Sequence, residues 1–410
     1  MDIFTGFADE EIKEAASSKL MIRKGFYSDV KEVLAQIRNV ILIDDQTIIS
    51  MIAAINAGFN IILYGPPGTA KSTISKFIPE FIYGVRCNIH TADSSWNVRK
   101  VIGGLSVSYY RVGSEVHDTI KPVDGYIVED ILSCYKDHLQ TTDFYSTFSI
   151  IDEFNRTNMD ECLGPMFTAM GSDNKELKLD YYKGFCENFT SVIVPDSYRI
   201  ICNMNKYDRT FTNELSEALS RRFKWIYVGP PSIEESETEE DLIHNIIFSN
   251  AEETASNIPE ELEDISNYEE CPFFNKFIEK RIVRIINDLR SDLEIGTAYK
   301  IDAIKIAYHY MRIAVELIDW PRYSGVSIAQ LFECEDIDNL SNSLIDGTIK
   351  QNFVDDIKLF INSIIDAALV MTVIPTCEAL EEPEAIEKNK ERFADYPRCI
   401  KELERMKMIF

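Results

Sequence analysis

The sequence predicts two domains of different class, an α/β domain with a parallel sheet followed by an all-α domain. In the first half, short runs of β-branched and aromatic residues alternate with helical patterns. These runs are Asn60–Tyr64, Val85–His90, Phe148–Asp152, Arg199–Asn203 and Lys224–Val228. Five strands separated by helices favour a five-stranded parallel sheet covered by helices. In the second half strand signals are absent, and the periodicity is helical in Lys276–Leu289, Ile301–Ile318 and Asp355–Met371.

Charge is distributed unevenly along the 410 residues, which carry 42 Lys+Arg and 68 Asp+Glu for a net charge of −26. Residues 1–232 hold 24 basic and 30 acidic residues (−6), which leaves 18 and 38 (−20) for the remainder. Residues 233–270 contain fourteen acidic and no basic residues. This run predicts a solvated insertion, and a docking surface for a basic partner is the alternative. We therefore predict an N-terminal tail (1–25), an α/β core (26–231) and a helical domain (232–410).

The composition argues against several classes of protein. An acidic chain is poorly suited to binding duplex phosphates. The longest apolar stretch, Phe360–Ile374, is interrupted by polar residues and is too short to cross a bilayer. The first residues lack the features of a signal peptide, so we expect a cytoplasmic protein without a membrane span. Nine cysteines without a CxxC pair predict reduced thiols in the core, and neither disulfides nor a zinc site.

A glycine-rich turn follows the first predicted strand and precedes a helical pattern. It reads Gly65-Pro66-Pro67-Gly68-Thr69-Ala70-Lys71-Ser72-Thr73. This is the context that a phosphate-binding loop requires. Its amides and the helix N-terminus would hold the β-phosphate, Lys71 would neutralise the β/γ oxygens, and the Ser72 hydroxyl would ligate Mg²⁺. Ala70 stands where a second glycine is usual, which is acceptable if its φ is negative.

A later predicted strand delivers two carboxylates at its carboxyl end. The apolar run 148–151 is followed directly by Asp152 and Glu153. Asp152 suits the coordination sphere of Mg²⁺, and Glu153 could orient and deprotonate an attacking water. The alternative is an acidic cap for the next helix. With the phosphate loop upstream, the catalytic interpretation is favoured.

Three segments carry a resemblance to a known family. Ile151–Arg156 (IDEFNR) resembles the "DEINR" Walker B segment of AAA+ ATPases of the helix-2-insert group, which includes the MoxR-like, McrB-like, dynein and midasin families, with Phe154 replacing the usual Ile. Met204–Thr210 (MNKYDRT) resembles the "MNxxDRS" element of McrB-type GTPases, which makes Asn205 the implied sensor 1 residue. An amide at a strand end can bind both a γ-phosphate and the lytic water.

The third segment, Ala218–Phe223 (ALSRRF), resembles the "ALRRRF" segment that carries the arginine finger in such families. The resemblance implies that Arg222, or as second choice Arg221, reaches the γ-phosphate bound by a neighbouring subunit. Two arginines paired with carboxylates at a helix end are the structural alternative.

Weaker similarities extend the comparison. His90–Gly104 resembles a McrB-type region, which implies a structural or nucleotide-sensing role for His90 and not a metal ligand. Residues 105–124 fall where the group inserts structure into helix 2, and residues 173–194 fall where it has a hairpin before sensor 1. Aromatic and basic residues there, including Tyr181-Tyr182-Lys183, could grip a polymer, or they could be solvated loop tips. Lys300 lies near the usual sensor 2 position and is a candidate for it.

The resemblance implies an AAA+ nucleoside triphosphatase, with a phosphate-loop core and an all-α lid. Its cofactors would be ATP (or GTP) and Mg²⁺. A homo-oligomeric ring, expected to be a hexamer, would couple hydrolysis to remodelling of a macromolecule. ATP is favoured over GTP, because the sequence has no guanine-binding loop in the right place. Asn205–Asp208 has the residues of such a loop (Asn-Lys-x-Asp), but it lies at a strand end on the phosphate side and not beside the base.

Two kinds of partner follow from the two families. A MoxR-like protein would act with a von Willebrand A domain protein, and the acidic balance favours such protein targets. A McrB-like protein would be the GTP-driven motor of a modification-dependent DNA restriction system with a nuclease subunit, and direct DNA binding by this chain is left open. A nucleotide-gated structural scaffold is a third, non-enzymatic possibility.

Overall fold

The computed structural model describes residues 8–24, 26, 29–112, 115–140, 144–186, 189–205, 222–231, 236–248, 268–344, 346–380 and 383–407. The chain divides into two compact units, Met1–Val228 and Gly229–Phe410. The buried apolar residues form two clusters in the first unit and a separate one in the second, as expected for a chain longer than a single core usually supports.

The first unit is organised by a five-stranded parallel sheet. Its strands are β1 (Asn60–Gly65), β2 (Arg86–Thr91), β5 (Thr147–Asp152), β8 (Ile200–Asn205) and β9 (Phe223–Tyr227). They lie in the order β2-β5-β8-β1-β9. The predicted α/β class is confirmed, because each expected strand is present with its ends within two residues of the predicted positions.

Two antiparallel hairpins form separate two-stranded sheets in the first unit. One pairs β3 (Gly103–Val112) with β4 (Glu115–Asp124), and the other pairs β6 (Glu176–Lys178) with β7 (Ser191–Ile193). They lie where the resemblance places the helix-2 insertion and the hairpin before sensor 1. Periodicity alone did not predict them as strands, because their outward-facing side chains lack the continuous apolar runs of the buried strands.

Helices cover both faces of the sheet. They are α1 (Asp9–Ser17), α2 (Val30–Arg38), α3 (Asp45–Asn56), α4 (Lys71–Tyr83), α5 (Val98–Val101), α6 (Tyr126–Leu139) and α7 (Met159–Met170), with short 3₁₀ turns at Phe154–Arg156 and Asp180–Tyr182. Neighbouring β1 residues point to opposite cores: Ile61 packs with α2, α3 and α4, and Ile62 packs with α6 and α7. Burial on both faces explains why the strands read as continuous apolar runs.

The second unit is helical throughout its described residues, which confirms the all-α prediction. Its helices are α8 (Ser236–Phe248), α9 (Pro272–Phe274), α10 (Lys280–Leu289), α11 (Thr297–Ala314), α12 (Ile328–Phe332), α13 (Ile337–Ser341), α14 (Gly347–Thr372), α15 (Pro383–Lys390) and α16 (Pro397–Lys407). A π-helical turn, Asn275–Glu279, precedes α10, and 3₁₀ turns span Val315–Leu317, Trp320–Tyr323, Ile374–Leu380 and Glu391–Phe393. The central helix α14 buries eleven residues along its length.

Two compositional expectations can be compared with the structure. None of the helices in the described part of the chain is long and apolar enough to cross a membrane. All nine cysteines are free thiols, and eight of them are buried. Burial raises the pKa of the Cys377 thiol to about 12, which leaves it a small apolar group at neutral pH.

Candidate functional site

Three adjacent strands of the sheet bring their carboxyl ends together. Strand β1 ends at Gly65, which lies opposite Asn205 at the end of β8. Strand β5 also pairs with β8 and ends at Asp152. Because the strands are parallel, the phosphate loop, the Asp152-Glu153 pair and Asn205 meet at one edge of the sheet. The structure therefore brings together residues that are up to 140 positions apart in the sequence.

The loop after β1 has a tight main-chain course that explains its glycines. A Cβ atom on Gly65 would lie 2.1 Å from the carbonyl oxygen of Val228, so no other residue fits there. Gly68 has a φ of +75°, in the left-handed region that favours glycine. The loop then turns into α4, and Lys71 is the first residue of that helix.

Ala70 does not meet the condition under which the sequence analysis accepts an alanine here. That condition is a negative φ, and the φ of Ala70 is +61°. Ala70 is the N-cap of α4 in the left-handed conformation, which is unfavourable for a residue with a Cβ by about 1 kcal/mol. The loop thus keeps the geometry that a glycine would adopt and accepts the strain.

The Lys71 ammonium is held inside the loop. The side chain is 5% exposed, and Nζ donates to the carbonyl oxygens of Gly65 at 3.2 Å and Pro66 at 2.6 Å. Burial lowers the pKa of Lys71 to about 8, although the nearby carboxylates of Asp152 and Glu153 favour its charged form. Nζ also contacts the Thr69 hydroxyl at 3.5 Å. A cation bound by neutral oxygens is suited to exchange them for the oxygens of a triphosphate.

Ser72 and Asp152 form the polar pair that a magnesium ion needs. The Ser72 hydroxyl donates to Asp152 Oδ2 at 2.9 Å, although the two residues are 80 positions apart. Hard oxygen donors of this kind, one hydroxyl and one carboxylate at a phosphate loop, are those that bind Mg²⁺ together with nucleotide phosphates. The residues present therefore fit the predicted ion. Elsewhere in the described ranges, no group of three or more His, Cys, Asp or Glu side chains could hold a metal.

Glu153 occupies a strained position beside this pair. Its φ is +55°, and its Oε2 atom accepts a hydrogen bond from Asn205 Nδ2 at 3.4 Å. The same oxygen lies 3.1 Å from Nε of Arg156, three residues later. Main-chain strain of this kind is found at sites where geometry serves function. Sequence analysis did not predict this contact between Arg156 and Glu153. The spacing of three residues between two opposite charges could have indicated it.

The predicted finger residues lie elsewhere. Arg222 directly precedes β9, whose first residue, Phe223, pairs with Asn60 at the start of β1. It therefore lies at the opposite end of the sheet from the phosphate loop, about 20 Å away along a six-residue strand. Its guanidinium is stacked over the Phe167 ring at 5.6 Å. Arg221 falls outside the described residues, as does the segment after Asn205 that includes Asp208.

The two tyrosines of the second hairpin have a structural role that corrects our expectation. Tyr181 and Tyr182 are neither solvated tips nor free to grip a polymer, because their hydroxyls donate to the two oxygens of Asp124 at 2.8 and 3.0 Å. The Tyr181 ring also occupies the place of a Cβ on Gly103. These contacts attach the base of the β3–β4 hairpin to the segment that leads into β8.

Two other candidate residues, His90 and Lys300, have structural contacts within their own units. His90 Nε2 lies 2.8 Å from Oδ2 of the buried Asp130, and its ring stacks on Tyr126. Lys300 is fully buried in the helical unit, where its ammonium contacts Glu239. A side chain without exposed surface cannot contact a nucleotide, so the sensor 2 assignment of Lys300 is wrong.

The lowered pKa of Lys71 predicts a pH dependence of nucleotide binding. A triphosphate binds the protonated amine, and the free protein loses that proton as the pH rises through about 8. Affinity should be full below pH 8 and then fall about tenfold per pH unit. Titration calorimetry at pH 7, 8 and 9.5 would measure this, and Lys71→Arg should flatten the profile because Arg stays protonated. An unchanged dissociation constant at pH 9.5 in the unaltered protein would contradict it.

Comparisons with known proteins agree with this geometry. Residues 60–223 match the family described as AAA domain (dynein-related subfamily). The chain is 28% identical over 200 residues to the type IV methyl-directed restriction enzyme EcoKMcrB subunit of Escherichia coli K12. That match covers 47% of this chain and 40% of the relative, so the chain spans less than half of its length. The predicted resemblance to AAA+ ATPases of the McrB-like and MoxR-like group is confirmed.

A solved structure was also matched, that of a protein described as an ATPase from Cytophaga hutchinsonii. The match has a TM-score of 0.35 and 14% sequence identity, and it covers 78% of this chain and 95% of the other.

Proposed function

We propose that this chain, whose residues 60–223 match the AAA domain of the dynein-related subfamily, is a magnesium-dependent nucleoside triphosphatase that works as a ring. The observation that carries the proposal is the meeting of Lys71, the Ser72–Asp152 pair, Glu153 and Asn205 at one sheet edge. A module that only binds nucleotide has no need of a carboxylate and an amide placed together beside the phosphate loop.

Each residue has a defined task in this proposal. Gly65–Thr73 binds the phosphates, with Lys71 as the charged contact. Ser72 and Asp152 would hold Mg²⁺, which would neutralise charge on the phosphate oxygens. Glu153 accepts a proton from the attacking water, and Asn205 orients Glu153 and the water through its amide. The Glu153 carboxylate also contacts Arg156 in the structure. When the water and the γ-phosphate bind, this contact is either kept or displaced.

The position of Arg222 supports an assembly. This residue cannot reach the phosphate loop of its own chain from the far end of β1. It can act only on a nucleotide held by another copy, which is the geometry of a head-to-tail ring. We propose a hexameric ring in which Arg222 is the finger, with the helical unit as the lid.

We propose ATP as the nucleotide and remodelling of a macromolecule, with a von Willebrand A domain protein as partner, as the work performed. The match to the restriction subunit favours a second candidate, a GTP-driven motor that acts with a nuclease subunit. A nucleotide-gated scaffold is disfavoured by the hydrogen bond between Asn205 and Glu153.

Two measurements test the proposal. Turnover per subunit should fall on dilution as light scattering shows the ring dissociating, because the finger then leaves the site. A monomer with full specific activity in saturating nucleotide would contradict it.

In competition binding, ATP should be preferred. If the protein instead binds GTP at least tenfold more tightly than ATP, a difference of about 1.4 kcal/mol, the restriction motor is the better candidate.

A further inference from the structure

The end of the sheet opposite the phosphate loop contains a cavity that the proposed hydrolysis does not use. Its volume is about 260 Å³, and it lies within the first unit beside the start of β1. The described residues that line it include three cationic side chains, Lys175, Arg199 and Arg222, and no acidic one. Cavities for drug-sized ligands usually exceed about 300 Å³, so this volume suits a small ligand.

Arg199 is the residue on which the inference rests. It is 9% exposed, and Nη1 donates to the carbonyl oxygens of Asp196 and Tyr198 at 2.7 Å each. Nε and Nη2 donate to the carbonyl oxygen of Ile55 at 3.4 Å. These contacts use four of the five N–H groups of the guanidinium and engage only neutral main-chain carbonyls. One Nη2 hydrogen is left for a ligand.

The charge of Arg199 is only partly compensated. Ile55 lies in the last turn of α3, whose dipole supplies a partial negative charge. The carboxylate of Asp196 also favours the charged guanidinium, but it is 41% exposed and is paired with Lys175 Nζ at 2.5 Å. Burial lowers the pKa of Arg199. A buried cation beside a cavity is stabilised when an anion enters, because the anion removes the cost of the unpaired charge.

The surroundings favour an anion over a neutral ligand. Lys224, next to the cavity wall, lies over the Phe59 ring at 4.2 Å and adds a further cation at this end of the sheet. Among the described residues, Lys224 thus joins the three cations that line the cavity, in a chain whose net charge is −26. The remaining N–H of Arg199 would donate one charge-assisted hydrogen bond to an anionic oxygen, which is stronger than a bond to a neutral acceptor.

We propose that this cavity is a binding site for a small oxyanion, with Arg199 as the buried contact and Lys175 at the rim. The anion is either free inorganic phosphate or sulfate, or a carboxylate side chain of a second copy of this chain. The proposal does not depend on hydrolysis or on the role of Arg222, because its evidence is the burial and bonding of Arg199.

Calorimetric titration with sulfate and with phosphate would test the site at constant ionic strength. The phosphate loop also binds such anions, so the titration is done on Lys71→Ala, in which that contact is removed. Binding should persist in Lys71→Ala and weaken at least about tenfold when Arg199→Gln is added, as expected for loss of a charge-assisted hydrogen bond.

Because Arg199 is buried, its exchange could prevent folding, and Lys175→Glu provides a second variant on the exposed rim. The matched control is Lys178→Glu, the same charge change three residues later on an exposed position of β6 outside the cavity. Lys175→Glu should weaken anion binding about five- to tenfold, and Lys178→Glu should not.

The two sources of the anion are distinguished by self-association. If sulfate and phosphate do not bind but Lys175→Glu weakens self-association in light scattering more than Lys178→Glu, the anion is a carboxylate of another copy. If anion binding disappears with Lys71→Ala alone, and both rim variants self-associate like the unaltered protein, the proposal is overturned. Turnover of nucleotide in the same samples reports separately on the proposed function.

Discussion

Glu153→Gln should hydrolyse nucleotide at least about 100-fold more slowly than the unaltered protein and should still bind it. Glutamine keeps the size of the side chain and can still contact Asn205, but it cannot accept a proton from water. Loss of a positioned general base typically lowers the rate by 10²–10⁴-fold. Single-turnover hydrolysis, with nucleotide affinity measured in parallel, would give both numbers.

Two further variants define what this result means. Lys71→Ala should abolish nucleotide binding, because the triphosphate loses its charged contact inside the loop. Glu161→Gln removes an exposed carboxylate eight residues further on and should leave the rate unchanged. Turnover at the unaltered rate in Glu153→Gln would exclude Glu153 as the group that activates water, whatever the other two variants show.

The sequence predicted the parts of this site that depend on the succession of strands, turns and helices along the chain. A strand followed by a glycine-rich turn and a helix places Lys71 and Ser72, and parallel strands bring Asp152 and Asn205 to the same edge. The placements of Lys71, Ser72 and Asp152 follow from chain direction and side-chain chemistry, whereas the choice of Asn205 came from the resemblance of Met204–Thr210 to the McrB-type element. Their predicted neighbours are therefore neighbours in the structure.

Features that depend on contacts between distant segments were predicted less well. The Asp124 carboxylate accepts from Tyr181 and Tyr182 across 57 and 58 positions, and neither segment has a pattern that reveals the other. Lys300 stood at a plausible position in the sequence, but its burial follows from Glu239 on another helix. The residue type of Ala70 did not reveal its positive φ, because the loop imposes a left-handed conformation at that position.

In the helical unit as well, the burial of a charged residue could not be predicted from the local sequence. Glu239 is fully buried, and its carboxylate accepts from both Nη1 and Nη2 of Arg290 at 2.7 Å. The hydrogen bonds and charges of Arg290 and Lys300 together hold the pKa of Glu239 below its usual range despite its burial. The sequence showed Glu239 only as one member of an acidic run, in which a solvated position was expected. Its burial is thus decided by partners 51 and 61 positions away.

Arg222→Ala should lower turnover by about 10³–10⁵-fold, the contribution of an arginine finger to phosphoryl transfer. Nucleotide binding should persist, because Arg222 lies at the other end of the sheet from the phosphate loop. The control is Arg405→Ala, which removes an exposed arginine of the helical unit whose side chain is 70% exposed. That variant should turn over at the unaltered rate.

Mixing the two inactive variants gives the decisive result. In a mixed ring, an Arg222→Ala subunit binds nucleotide through its own Lys71, and a Lys71→Ala neighbour supplies the intact Arg222. In an equal mixture of head-to-tail subunits about a quarter of the interfaces have this order, so activity should return to about a quarter of the unaltered value. A finger acting within its own chain would give no recovery, because neither variant then contains a complete site. Turnover that stays at the level of the separate variants, in samples shown by light scattering to have assembled, would exclude Arg222 as a finger acting between subunits.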